Sequence, residues 1–200
     1  MTIATRFAVA VLAATGLALA APALAASPSF TYVEGSFQHT SVSSAAGPIS
    51  ADSGWRVDAG ADVWDNLFVS GSARHYSVTT PGSSRSGNLY NADAGYSVPF
   101  ADTFAAYGKL GWSRETQGLG NDAGYHAEVG LRADLISILD LRAYYARFGL
   151  NGGMTEYGAA AELSFAPMFG ILVGYDRLQG SAAGGGGDLD SYRIGLRWSL

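Results

Sequence analysis

The chain has 200 residues, with 12 Lys and Arg against 17 Asp and Glu, a formal charge of −5 and no cysteine. Acid in excess, with no basic block to neutralise phosphates, weighs against nucleic acid as a partner. The missing thiols exclude disulfides and thiolate metal sites, and the length suits one domain.

Taken from the N-terminus, MTIATRFAVAVLAATGLALAAPALAA carries Arg6, an apolar run from Phe7, and a small-x-small site at Ala23-Leu24-Ala25. That pattern predicts a secretory leader over 1–25, cut after Ala25, with 26–200 as the folded domain. The apolar run is short and ends in a cleavage signal, which disfavours a retained anchor.

From residue 26 onward no helical periodicity appears, and no second apolar stretch is long enough to span a membrane as a helix. Alternation at period two recurs instead, punctuated by Gly, Ser, Asn, Asp and Pro. Ten strands are predicted, near 29–40, 54–64, 67–78, 88–98, 103–115, 124–135, 139–149, 155–165, 169–178 and 191–200. If 155–165 and 169–178 belonged to loops, the number would be eight. SVSSAAGPISADS, TTPGSSRSGN, TQGLGNDA, LNGGMT and QGSAAGGGGDLD read as long flexible connections, with tight turns between them. One end of the molecule should therefore carry loops and the other turns.

The two faces of each strand differ. In the second strand Trp55, Val57, Ala59, Ala61 and Val63 oppose Arg56, Asp58, Gly60 and Asp62. The sixth sets Tyr125, Val129 and Leu131 against His126, Glu128, Arg132 and Asp134. Trp55, Tyr90, Tyr125, Tyr157 and Tyr192 recur at near-constant intervals, each just after a long connection. Phe37, Trp112, Tyr145 and Tyr175 fall near the same edge, and Phe100, Phe104, Phe165, Phe169 and Trp198 make a second row on the turn side. A soluble sandwich or barrel also alternates. It does not account for aromatics at two matching depths, which the headgroup regions of a bilayer select. In hydrocarbon every backbone polar group must be paired within the protein, so a spanning sheet closes into a barrel. The last strand, YRIGLRWSL, fits that setting: Arg193 and Arg197 face inward and Ile194, Leu196 and Trp198 face lipid.

The alternating tail 192–200 resembles the terminal signal read by the insertion machinery of bacterial outer-membrane barrels, with Leu200 where phenylalanine is more usual. The whole domain resembles the small Gram-negative outer-membrane barrels of the OmpA and OmpX kind. YVEGSF near residue 32, SGWRVDAGADV at 53–63 and YHAEVGLRADL at 125–135 look like a short family from plant-associated bacteria, labelled as outer-membrane proteins or as quorum and immunity-eliciting factors. The resemblance implies an integral outer-membrane location and brings no catalytic motif or cofactor.

Glu34, Arg56, Asp58, Arg74, Lys109, Glu128, Arg132, Asp134, Arg142, Arg193 and Arg197 are expected to face the lumen. A barrel this narrow is filled by such side chains, which should satisfy one another, with Glu34 bridging the closure seam to Arg193 or Arg197. Gly60, Gly95, Gly130, Gly158 and Gly174 are expected to leave local space, enough for a narrow ion or solute pore. Arg114, Arg147 and Arg177 follow the upper aromatics by two residues on the outer face. There they would form a collar for lipopolysaccharide phosphates. Two further readings concern the loop-side mouth. Ser113, Glu115, His126 and Glu156 have the residue types of a hydrolase site, and the Ser- and Gly-rich loops could serve a surface adhesin. No metal constellation is apparent. Envelope structure and lipid interaction, without catalysis, is the favoured role; the oligomeric state is left open by the sequence.

Overall fold

The computed structural model describes residues 28–44, 47–80, 83–117, 120–150, 153–180 and 188–200; the expected leader and the glycine run 184–187 lie outside these. Ten strands follow in chain order: β1 (Tyr32–Ser44), β2 (Gly47–Trp64), β3 (Leu67–Thr80), β4 (Ser83–Ala101), β5 (Phe104–Gln117), β6 (Gly120–Ile136), β7 (Leu139–Phe148), β8 (Met154–Ala166), β9 (Phe169–Gln179) and β10 (Asp188–Ser199). Each pairs antiparallel with its sequence neighbour, and β1 pairs with β10, so the sheet closes without a free edge. β8 and β9 are paired on both sides, which sets the eight-stranded alternative aside.

The alternation read from the sequence is the inside-outside pattern of the wall. Outward Phe37 is 78% exposed and Leu110 64%, whereas inward Glu34 is 0% and Arg197 1% exposed. Strand limits differ mainly on the loop side. β1 and β2 stay paired up to Ser44 and Gly47, β3 and β4 up to Thr80 and Ser83, and β5 and β6 up to Gln117 and Gly120. Three of the five supposed long connections are therefore largely wall. A backbone ladder needs no apolar face once both sides of the sheet meet water, so the alternation fades before the hydrogen bonding does. At the opposite end β1 begins at Tyr32, and residues 28–31 turn into the barrel instead of extending the strand.

The turn side repeats one device. A bulge interrupts the register in the strand entering each tight turn, at Asp62/Trp64, Pro99/Ala101, Asp134/Ile136 and Ser164/Ala166. The bulge bends the strand and hands one extra residue to the rim; Val63, Phe100 and Phe165 at these points are exposed. The carbonyls of Asn66, Thr103, Ile138 and Met168, within the four turns, accept the amides of Ser97, Asp134, Ser164 and Ser199 at 2.8–2.9 Å. Each turn is thus stitched to the next descending strand, and the hairpin is the repeating unit seen in the sequence. Asp65, at φ 43, takes the left-handed position of the first turn, which a short polar side chain tolerates.

Candidate functional site

Inward side chains from all ten strands fill the lumen, and they sort by height into three layers. At the turn side the chain supplies its own stopper. Phe30 lies stacked on Phe68 with centroids 4.1 Å apart and meets the edge of Tyr107 at 5.4 Å. The Arg132 guanidinium sits 5.4 Å from the Phe30 ring centre and donates to the Ser29 carbonyl. Asp62, expected to face the charged lumen, instead accepts from Ser29 Oγ (2.8 Å), the Phe30 amide (3.0 Å) and Thr31 Oγ1 (3.1 Å). The carboxylate holds three donors of one short segment, and the segment holds its phenylalanine inside.

The middle layer is ionic. Glu34 accepts from Arg193 Nη1 at 2.9 Å and from Arg142 Nη2 at 2.6 Å, joining β1 to its seam partner and to β7 across the lumen. Arg56 grips Asp58 at 2.7 Å and lies 3.5 Å from Glu156, which also takes Arg74 at 2.7 Å and the Tyr144 hydroxyl at 2.6 Å. Lys109 reaches Glu128 at 3.2 Å, and Arg132 binds Asp140 at 2.5 Å with Asp134 at 3.9 Å. Glu34, Arg56, Asp58, Arg74, Arg132, Asp134, Arg142 and Arg193 are thereby linked in one network through Glu156, Asp140 and Asp176, while Lys109 and Glu128 form a separate group with Asp93 and His126. Arg197 departs from the expected seam: although opposite Glu34 in register, it pairs with Glu162 at 3.2 Å and lies 3.9 Å over the Tyr32 ring. Glu34 already holds two guanidinium groups, so Arg197 takes the aromatic face that a planar cation can use.

The glycines do not leave space, as the sequence had suggested. A Cβ on Gly95 would lie 2.3 Å from the Phe68 ring, one on Gly130 2.4 Å from the Tyr107 ring, and one on Gly174 2.6 Å from Arg193 Nε. Each bare glycine is covered by the side chain of a neighbouring strand. A cavity of about 40 Å³ lies among Phe30, Tyr32, Arg56, Lys109 and Arg142, room for one or two waters.

The uppermost layer was not read from the sequence. Tyr76, Leu89, Phe148, Leu150, Met154, Leu178 and Leu189 pack into an apolar cluster inside the loop-side mouth. Counting inward from Arg74, Glu156 or Asp176 puts Tyr76, Met154 and Leu178 on the polar face, so strand parity was the available signal. Beneath this layer the four mouth residues are buried and engaged separately. Ser113 Oγ bonds Asn91 at 2.9 Å, His126 Nδ1 bonds Asp93 at 2.7 Å, Glu115 meets the Tyr76 hydroxyl, and Glu156 belongs to the arginine network. The Ser113 hydroxyl proton is given to Asn91 and not to the His126 imidazole, so the serine-to-base hydrogen bond of a hydrolase is not formed among the described residues. Among the described residues no group of three or more His, Asp or Glu side chains is placed to hold a metal.

On the outer wall the upper aromatics stand directly opposite one another: Phe37 and Trp55, Trp112 and Tyr125, Tyr145 and Tyr157, Tyr175 and Tyr192. Their cross-strand pairing sets four aromatic pairs along the loop side. On the turn side Phe169 stacks on Trp198 and Phe100 on Phe104. Of the three collar arginines, Arg114 and Arg147 are exposed. Arg177 is half-buried, bonded to Asp188 at 2.6 Å with Asp190 at 3.6 Å.

The family described as outer membrane protein beta-barrel domain matches residues 9–199. No curated protein matches the chain in sequence. Among solved structures the NanC porin aligns with a TM-score of 0.53 at 11% identity, covering 84% of this chain and 99% of its own. The translocator domain of the autotransporter NalP from Neisseria meningitidis aligns at 0.50 and 14% identity, covering 98% and 96%. Neisserial surface protein A aligns at 0.46 and 16%, covering 84% and 96%. At these identities the likeness is one of fold.

Proposed function

Because the chain belongs to the outer membrane protein β-barrel domain family, we propose that it serves as a closed barrel of the outer membrane. Its lumen is a structural core and its working surface is the outer belt. The observation that supports this reading is the filling of the lumen: a phenylalanine of the 28–31 segment below, a paired ionic layer, and an apolar layer above, with a cavity of about 40 Å³ beside Phe30 and Arg142. NanC is a porin by name; here Phe30, Arg193 and Phe148 occupy the path a solute would take. No catalytic step belongs to the reading, since the mouth residues are bound to other partners.

Export through a cleaved leader 1–25 and recognition of strand 192–200 by the insertion machinery complete the proposed route to the membrane. On the outside, Arg114 and Arg147 stand at the loop-side belt, facing the leaflet that carries lipopolysaccharide phosphates. Arg177, neutralised by Asp188, contributes least to such a collar. The test is single-channel recording of the mature protein in planar bilayers. A folded, heat-modifiable barrel without discrete openings is expected; stable openings would overturn the closed reading and restore the narrow pore.

A further inference from the structure

The outer wall is not evenly covered. On β5 the outward series is Ala106, Gly108, Leu110, Trp112, Arg114, and Gly108 leaves a gap between Tyr96 on β4 and Val129 on β6, its two partners in register. Nothing from the protein enters that gap: a Cβ on Gly108 would meet only the Glu128 carbonyl, at 3.9 Å. With the small Ala94 and Ala127 nearby, the gap opens into a groove of about 660 Å³ walled by Tyr96, Leu110, Val129 and Tyr145, with Arg147 at its loop-side end. A second hollow of about 610 Å³ shares Tyr96, Gly108, Val129 and Tyr145 and carries the groove toward Val98 and Leu131. From Ala127 to Leu131 the trench runs about 13 Å along β6, at some 3.3 Å per residue.

Its polar end differs from the rest of the collar. Arg177 is bonded to Asp188, but no carboxylate lies within ion-pair distance of Arg147 or Arg114 among the described residues. Both are exposed, on the strands flanking β6, with Tyr125 of the belt between them. A lipid-facing trench ending at unneutralised guanidinium groups matches a molecule with an acyl chain below and a phosphate above. Simple annular lipid gains little from an apolar groove, because lipid tails are as apolar as the wall; a fixed occupant needs the headgroup contact as well.

We infer that the face formed by β4 to β7 holds one lipopolysaccharide molecule, an acyl chain lying over Gly108 and a phosphate on Arg147 at the end of the groove. This rests on the collar reading above and adds to it a single defined seat. The occupant is lipopolysaccharide because, among the described residues, the cations without an ion-pair partner, Arg114 and Arg147, stand at the loop-side belt, which faces the leaflet made of that glycolipid.

The test uses the mature protein extracted from Gram-negative outer membranes in mild detergent, with native mass spectrometry of the retained lipid. Wild type is expected to keep one lipopolysaccharide per barrel. Gly108→Leu, which fills the groove without touching the charges, and Arg147→Ala, which removes the headgroup contact, are each expected to cut retention by about tenfold, the worth of one charge-assisted contact. Ala143→Leu fills the lower hollow and serves as the second groove variant should Gly108→Leu fail to fold. If the groove variants retain lipid as wild type does while Arg147→Ala loses it, the seat is wrong and the collar stands. Unchanged retention in all three overturns both. A dimer dissociated by Gly108→Leu would mean that a second copy occupies the face, and retention of phospholipid in place of lipopolysaccharide would also overturn the inference.

Discussion

The two ends of the lumen are filled by different means. At the turn side a four-residue segment outside the sheet, 28–31, is folded in and held by Asp62 and Arg132 around one phenylalanine. At the loop side the stopper belongs to the wall, as apolar residues on the inward positions of β3, β4, β7, β8, β9 and β10. The first can leave without breaking a strand pair; the second cannot. Between them the arginines and carboxylates are largely buried against one another, where each depends on its partner. On the closed-barrel reading proposed above, closure and barrel stability would be separable at one end and fused at the other.

The largest effect is expected from the ionic layer that both stoppers protect. Glu34→Ala leaves Arg142 and Arg193 without their shared acceptor and should lower stability by about 3–5 kcal/mol, the cost of uncompensated buried charge. Urea unfolding in detergent or vesicles, followed by the heat-modifiable gel shift, reads it; a loss near zero would mean that water enters the layer. Phe148→Ala should cost about 3 kcal/mol by opening a cavity in the apolar layer, measured the same way. By contrast Phe30→Ala is expected to cost clearly less, since Phe30 lies outside the strand ladder and the polar bonds of its segment to Asp62 and Arg132 do not involve its side chain. Conductance sharpens the comparison: with the ionic layer of Glu34, Arg142 and Arg193 still in place, Phe30→Ala, Phe148→Ala and the double variant are all expected to be silent in planar bilayers.

Smaller effects test the anchoring of each end. Asp62→Asn keeps the shape of the acceptor but weakens its three bonds, and should cost about 1 kcal/mol. Faster hydrogen exchange at the Phe30 amide would check it. The smallest change is expected at Asp188→Asn, whose pair with Arg177 is partly exposed at the rim, within about 0.5 kcal/mol.

Most of the wall was legible in the sequence. Alternation gave ten strands and their faces, because an outward residue must suit lipid and an inward one must not. The belts were legible for the same reason, and so was the membership of the ionic layer. Individual partners were less so. Glu34 was expected to reach Arg193 or Arg197 and takes Arg193; its other partner, Arg142, comes from across the lumen, a contact that adjacent-strand register cannot reveal. Inward Leu89 and Phe148 were passed over since the lumen was treated as polar throughout, although parity alone would have placed them.

By itself the sequence determined which backbone elements form and which side each residue takes, since period-two chemistry is local and is fixed by the solvent each face meets. Only the closed structure decided what fills the interior. Once ten strands share one narrow lumen, Phe68 lies over Gly95, Tyr107 over Gly130 and Phe30 beneath both. The gap outside Gly108 likewise exists only between the strands that register places beside it. These contacts join residues far apart in the chain, and their geometry follows from the curvature and stagger of the whole barrel.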